Sequence, residues 1–590
     1  MVWDQIMPAP PPITEIADAF ADPVRPARFP KAILRYRNQP WAEQIDLDHL
    51  SDKEWAGQFT KFPPLQGNLP EPLAMRYHGH QFGHYNPELG DGRGFLYAQF
   101  QLKSGAPVEL GTKGTGQTPW SRRGDGRLTL KGGVREVLAA RYLEAMGVKT
   151  SKLFSLVETG EALTRGDEPS PTRSAVMVRL SETHIRFGTF QRAASLGETE
   201  NLARLVTHAV KHYHPDAADP DMSRQTAALL HRIAEAVGRM IGQWMGAGFV
   251  HGVMNTDNFN ITGETFDFGP YRFLPRSEPN FVAAYFDEQG LYRFGRQPTQ
   301  GLWALQQLAA ALSPLAELDT LTDALSVYEP AYQRSFADQT CHMLGVETGV
   351  LAEDVEFLSV FYAWMSETDA SWPQVFFDWH GGPASEARAK ASPLAALYAA
   401  DLFAPVKAAL MARTPKQNNH LDAFYFQGPS PQSLLIDEIE TIWAAIAEHD
   451  DWSLFEQKLA GFERGQNGGN IIERNATHLE PDEQMVKHVR RLVRNVPVAL
   501  GCERQPQLSG FLDQLLGDLV RPLGQKACRV GGRGIACCGP LGNHRRQGCE
   551  HLPQCLLIAH PCPPDISIGR DGTPALASAA RASAKLASPK

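Results

Sequence analysis

The chain has 590 residues, 43% of them hydrophobic, with 57 Lys and Arg against 66 Asp and Glu, a formal charge of -9 and a pI near 6.1. That length permits several domains, and the acidic balance argues against a general binder of nucleic acid or anionic membrane, whose surfaces need clustered Lys and Arg. No apolar run approaches the roughly 18 residues a bilayer span takes, and the opening MVWDQIMPAPPPITEIADAF lacks a basic start followed by an apolar stretch, so a cytoplasmic location is expected.

Prolines at 8–12 and around 63–72 suggest an extended N-terminal arm over 1–74, wrapped onto a folded body. RYHGHQFGHYNPELG follows, with His78, His80 and His84. Their H-x-H-x-x-x-H spacing admits a transition metal, but no acidic or cysteine ligand joins them in a helical register, so packing or hydrogen-bonding roles are expected. In ELGDGRGFLYAQF, Gly90, Gly92 and Gly94 precede a strand. Small residues let backbone N–H groups approach phosphate oxygens and Arg93 adds a bidentate donor, although three alternating glycines read equally well as a tight turn.

FLYAQFQL and VELGTK, separated by KSGAP, read as a β-hairpin that ends on Lys113. TGQTPWSRRGDGR reads as a solvated loop. Beside a nucleotide, its Asp125 and the Gly126 backbone would instead contact ligand oxygens. Next, LKGGVREVLAARYLEAMG places Val134, Val137, Leu138, Tyr142 and Ala145 at helical spacing, with Gly147 as a stop and Glu136 in the second turn. Strands return at SKLFSLVETG and SAVMVRL. MVRLSETHIRFGTF then sets Arg179 and Arg186 seven residues apart; arginines facing a polyphosphate stabilise its charge where water is excluded.

After 220 the pattern turns helical. Leu230, Ile233, Val237, Met240, Ile241 and Trp244 form one apolar stripe of a long buried helix that leads directly into HGVMNTDNFNITGETFDFGPY. More helices are expected in WALQQLAAALSPL, DVEFLSVFYAWMSE and LIDEIETIWAAIAEH. The tail is different. Seven of the eight cysteines follow residue 500, and CRVGGRGIACCGPLGNHRRQGCEHLPQCLLIAHPC invites a zinc reading. It has no clean pair of C-x-x-C knuckles, and its Gly, Pro and Arg content favours a poorly ordered segment.

The stretch 251–271 carries the most specific pattern. Kinase-like phosphotransferases place an aspartate two residues after a histidine, a metal-binding asparagine five residues later, and a D-F-G beyond. Here His251, Asn258 and Asp267-Phe268-Gly269 fill those slots, while Val253 stands where the aspartate would be. Asn258 and Asp267 offer oxygen ligands suited to Mg²⁺. Asp257 is the carboxylate inside the loop able to take a proton from an attacking hydroxyl. Lys113 followed by Glu136 on the next helix matches the order in which kinase folds build their Lys–Glu pair.

With GHQFGHYNPELGDGRG, LGTKGTGQTPWSRRGDGR, VRLSETHIRFGTF and HGVMNTDNFNITGETFDFGPY on one chain, the sequence resembles the selenoprotein O family, pseudokinases that act as protein adenylyltransferases. The match is strong over about 75–275. The resemblance implies an α+β, two-lobed protein-kinase-like fold. An N-lobe at 75–200 would hold an antiparallel sheet plus a helix, a mainly α-helical C-lobe would span 201–480, and 481–590 would be an atypical tail. It also implies an ATP bound inverted, its AMP going to a Ser, Thr or Tyr hydroxyl of a protein, the enzyme itself included. Gly90, Gly92, Arg93, Lys113, Asp125, Gly126, Arg179 and Arg186 would hold the nucleotide, Asn258 and Asp267 the Mg²⁺ or Mn²⁺, and Asp257 would accept the proton. Neither a nucleic-acid nor a membrane partner is expected. Some members end in a redox-active cysteine or selenocysteine pair, whereas this chain ends in ASAARASAKLASPK, so redox control there is not expected. The rival readings are a kinase moving the γ-phosphoryl group and a non-catalytic nucleotide-binding scaffold.

Overall fold

The computed structural model describes residues 10–466, apart from 103, 418–420, 422–423 and 429. The readings made for 481–590, zinc and redox control among them, lie outside the described residues.

Among the described residues, the main sheet takes β1 (Ala21–Pro23), β2 (Ile33–Arg37) and β3 (Leu73–Met75) from the first part of the chain. A separate hairpin of β4 (Gly79–Gln81) and β5 (His84–Asn86) intervenes. The sheet then gains β6 (Leu96–Gln101), β7 (Pro107–Lys113), β8 (Leu128–Thr129), β9 (Lys152–Leu163) and β10 (Thr172–Ser181). Its order is β1-β3-β6-β7-β10-β9-β2, with β8 beside β10, and all of these pairings are antiparallel. The expected hairpin is β6 and β7, with Leu96 opposite Gly111 and Gln101 opposite Pro107.

Both faces of the sheet are covered, which explains why its central strands read as continuous apolar runs. On β10, Ala175 and Met177 enter one core together with Val134, Val137 and Leu138 of the helix Leu130–Ala145. Val176, Val178 and Leu180 enter the other, with Trp55 and Phe59 of the helix Asp52–Lys61. In that second core the Phe59 ring meets Trp55 at 4.8 Å and Phe154 at 5.5 Å. The segment expected as an arm therefore also supplies edge strands and a covering helix, which starts at a Ser51–Glu54 capping box. Strands as short as Ala21-Asp22-Pro23 carry too little periodicity to be read, and their proline is tolerated because β1 lies at an edge.

The helix Leu130–Ala145 begins where the Thr129 side chain accepts from the Gly132 N–H, and it is followed by Gly147 at φ 75°. Beyond the sheet the chain is mainly helical. Met222–Ala247 is capped by Asp221 and ends at Gly248 with φ 66°. A Cβ on Gly238 or Gly242 would fall 2.6 Å from the carbonyl of Tyr328 or Tyr332, so this helix lies directly on the backbone of Tyr328–Met343. Helices Gln297–Leu312, Leu351–Glu367 and Ile436–His449 appear where the periodicity predicts them. The class is α+β. Among the described residues, no helix is long and apolar enough to cross a membrane.

Candidate active site

The long helix Met222–Ala247 delivers the chain into β11 (Phe249–His251), which pairs with β12 (Tyr271–Phe273) and closes the loop 252–270 between them. His251 braces this loop. Its ring stacks on Trp244 at 5.3 Å, its Nδ1 accepts from the Val253 N–H at 3.3 Å, and its own N–H donates to Gln297 Oε1 at 2.8 Å. Burial pushes the imidazole down to about 4, so it is neutral at physiological pH.

Opposite the loop, the end of β7 presents Lys113 and the helix Leu130–Ala145 presents Glu136. Lys113 Nζ donates to Glu136 Oε1 and, at 2.8 Å, to Asp267 Oδ1. Arg186 Nη1 donates to the Asp267 carboxylate at 3.2 Å and to the Asp257 carbonyl at 2.8 Å, while its Nη2 lies 3.5 Å from Asp91. Arg179, on the same face of β10 as Met177, stands 3.9 Å from Asp267. Burial alone would raise the Asp267 carboxyl, but Lys113, Arg179 and Arg186 overcome it and hold the group well below the usual carboxylate range. Asp267 also adopts φ 56°, a left-handed conformation uncommon outside glycine.

Asp257 is the counterpart. It sits in the short turn Thr256–Asn258, is buried, and its Oδ1 has no hydrogen-bond partner. Burial pushes its carboxyl up to about 6; Arg186 works against that rise and Asp267 adds to it. The room for the carboxylate comes from Gly79 of β4, where a Cβ would stand 3.0 Å from Asp257 Oδ1. Asn258, its neighbour, donates from Nδ2 to the Val253 carbonyl at 2.8 Å, which leaves Oδ1 as the atom able to act as a ligand.

The β4–β5 hairpin docks onto this loop. The His80 N–H donates to Thr256 Oγ1 at 2.7 Å, and the Phe82 N–H donates to Asn255 Oδ1 at 3.2 Å. Two of the histidines there take the packing and hydrogen-bonding roles expected of them: His78 Nδ1 meets the Tyr85 hydroxyl at 2.6 Å and His80 Nδ1 meets Gln191 at 3.0 Å; His84 is exposed.

The glycine turn is built against the loop that follows β7. A Cβ on Gly90 would strike the Trp120 ring at 2.4 Å, and one on Gly92 would strike the Trp120 carbonyl at 2.8 Å. Gly126, at φ 69°, packs on Gly116. Trp120 Nε1 donates in turn to Asp22 of β1 at 2.9 Å, the carboxylate that also receives Arg76 at 3.0 Å. Arg93 is exposed, and its carbonyl accepts from the Gly114 N–H at 2.6 Å. Asp125 is exposed and its carboxylate receives Arg165 at 2.9 and 3.1 Å, outside the Lys113–Asp267 cluster.

Lys113, Glu136, Arg179, Arg186, Asp257 and Asp267 thus converge, with Asn258 next to Asp257 in the loop, whereas Arg93, Asp125 and Gly126 occupy the neighbouring loops. Sequence reasoning missed Asp91, whose carboxylate accepts from the Met75 N–H at 3.1 Å, and the rings of Tyr77 and Phe266, which cover the Arg186 guanidinium at 4.7 and 4.8 Å. Gly-Asp-Gly-Arg occurs at both 90–93 and 124–127, a repeat that marks Asp91, but nothing in the chain marks the two rings. Arg179 Nε and Nη1 are buried with no hydrogen-bond partner, as are Arg186 Nε and Asp257 Oδ1. Buried guanidinium donors of this kind suit phosphate oxygens, and the Asn258 and Asp267 oxygens suit a hard divalent cation.

A family model described as protein adenylyltransferase SelO matches residues 8–462. The protein nucleotidyltransferase YdiU of Synechocystis is 40% identical over 468 residues, which cover 77% of this chain and 98% of that protein. Its counterpart in Trichodesmium erythraeum is 38% identical over 462 residues, 76% of this chain and 97% of the relative. That of Gloeobacter violaceus is 39% identical over 483 residues, 75% and 92% respectively.

Proposed function

The chain belongs to the SelO family of protein adenylyltransferases and is a protein nucleotidyltransferase, and on that premise we propose that it moves AMP from ATP onto Ser, Thr or Tyr hydroxyls of proteins, itself included, and releases pyrophosphate. The observation that carries this reading is the pairing of two unlike carboxylates at one cluster: Asp267 pinned in its ionised form by three cations, and Asp257 pushed up to about 6 with an unpartnered oxygen. A base near that value is ionised at neutral pH yet basic enough to accept a proton as the hydroxyl attacks.

In this reading the sheet and the helix Leu130–Ala145 form the small lobe of a kinase-like fold over 75–200, and the helices of 201–480 form the large lobe. ATP lies inverted, its α-phosphorus toward the acceptor. The bond from hydroxyl oxygen to the α-phosphorus forms, the bond from that phosphorus to the bridging oxygen breaks, pyrophosphate leaves with the electron pair, and Asp257 takes the hydroxyl proton. Lys113, oriented by Glu136, and the unpartnered nitrogens of Arg179 and Arg186 stabilise charge on the departing oxygens. Gly90, Gly92, Arg93, Asp125 and Gly126 hold the remainder of the nucleotide. Asn258 Oδ1 and Asp267 would hold Mg²⁺ or Mn²⁺, which supplies positive charge beside the phosphates when bound.

Incubation with Mg²⁺ and ATP labelled at the α or the γ position tests the reading. Label from the α position, with an added mass equal to AMP on the protein, is expected. Label from the γ position alone would establish a kinase, and no label from either would favour the scaffold.

A further inference from the structure

Away from that cluster, the N-terminal turn Pro12–Glu15 lies on the helix Thr199–Tyr213. Its backbone is anchored independently: the Ile13 N–H donates to Gln99 at 2.8 Å, and Arg204 donates to the Glu15 carbonyl at 3.0 Å and to Asp18 at 2.7 Å. This fixes the Glu15 carboxylate over two histidines one helical turn apart. His208 Nδ1 is 3.2 Å and His212 Nε2 is 3.0 Å from the same oxygen, Glu15 Oε2. Lys211 occupies the other oxygen, Oε1, at 2.6 Å. Among the described residues this is the one group of three His, Cys, Asp or Glu whose ligand atoms come together, all within 4.8 Å of one another.

We propose that Glu15, His208 and His212 form a divalent transition-metal site, best suited to Zn²⁺, that clamps the N-terminal arm to the helix Thr199–Tyr213. Two imidazoles and a carboxylate, with a fourth position left to water, make a nitrogen-rich set typical of zinc rather than of Mg²⁺ or Ca²⁺. Ligand atoms about 2.0–2.1 Å from a tetrahedral ion stand roughly 3.3 Å apart, near the two spacings here. Spacing at i and i+4 puts both rings on one helix face. Without an ion, Nδ1 of the buried His208 donates to Glu15 Oε2; on binding, Nδ1 gives its lone pair to the metal and the proton moves to Nε2, which no other group engages.

The test uses the full chain without a polyhistidine tag, stripped with EDTA, equilibrated with ZnCl₂ and counted for metal by mass spectrometry. The cysteines of the tail contribute alike to every variant, so the quantity read is a difference. His212→Gln and Glu15→Gln are each expected to hold one Zn²⁺ fewer than the wild type and to lose the rise in Tm that ZnCl₂ produces, whereas Lys211→Ala keeps both. Equal zinc counts in wild type, His212→Gln and Glu15→Gln would overturn the proposal and leave an ionic latch. Should a variant fail to fold, the cysteine-alkylated wild type with Co²⁺ decides: visible bands of a four-coordinate nitrogen and oxygen site support it, and their absence rejects it.

Discussion

At residues 90–93 and again at 124–127 the chain reads Gly-Asp-Gly-Arg, and the two copies meet opposite surroundings. In the first, Asp91 is turned inward, receives the Met75 N–H, and faces the buried Arg186, while burial pushes its carboxyl upward. In the second, Asp125 is exposed and paired with Arg165 across the surface. The same four residues face a buried guanidinium in one place and solvent in the other. What separates them is desolvation: an exposed ion pair contributes about 0–1 kcal/mol, whereas removing one partner of a buried pair costs several times that.

Substitutions along this inner-to-outer axis have graded consequences. At the centre of the ion pairs, Asp267→Ala removes the carboxylate shared by Lys113, Arg179 and Arg186. Transfer of α-label is expected to fall about 10³–10⁵-fold, and a variant that keeps transferring would move the reaction centre elsewhere. Asp257→Asn should lower transfer about 10²–10⁴-fold and, unusually for an inactivating change, raise Tm. The folded carboxyl sits at about 6 against an ordinary value of 3.8, so its stabilising contribution is present at low pH and is lost as pH rises through 6. Replacing it with a neutral amide recovers roughly 2–3 kcal/mol at pH 8, readable by urea denaturation. In the wild type the same group predicts kcat/KM climbing with pH through about 6.

Asp91→Asn keeps an acceptor for Met75 but removes the charge facing Arg186. Because burial outweighs Arg186 and raises this carboxyl, the neutral amide is expected to hold or gain stability in urea curves at neutral pH, and a loss would show that the pairing with Arg186 dominates instead. Smallest in its effect on folding is Asp125→Ala. Stability should change by less than about 1 kcal/mol, while the KM for ATP rises roughly tenfold with kcat unchanged. A collapse of kcat instead would place Asp125 with the inner group.

Much of this was readable along the chain because local rules and tertiary demands agree. The β6–β7 hairpin, the helix Leu130–Ala145 with Gly147 after it, and the apolar stripe of the long helix Met222–Ala247 all announce themselves through turn residues and period. Lys113, Glu136 and Asp267, which hydrogen bonds join, were picked out through spacing. Features that depend on segments distant in sequence were not legible. The isolation of Asp257 Oδ1 depends on Gly79, and the grip on Arg186 depends on Tyr77 and Phe266. Nor does any spacing relate Glu15 to His208 and His212. Edge strands β1 and β2 escaped because short pairings contain no pattern long enough to recognise.

The Asp22 carboxylate, reached by both Arg76 and the Trp120 indole, has a practical consequence. Because that indole fills the hollow beneath Gly90, trimming the chain past residue 22 would unseat the turn proposed to hold part of the nucleotide. Shortened versions made for expression should therefore be judged by how they handle ATP rather than by yield, since a well-behaved preparation could already have lost its grip on the nucleotide.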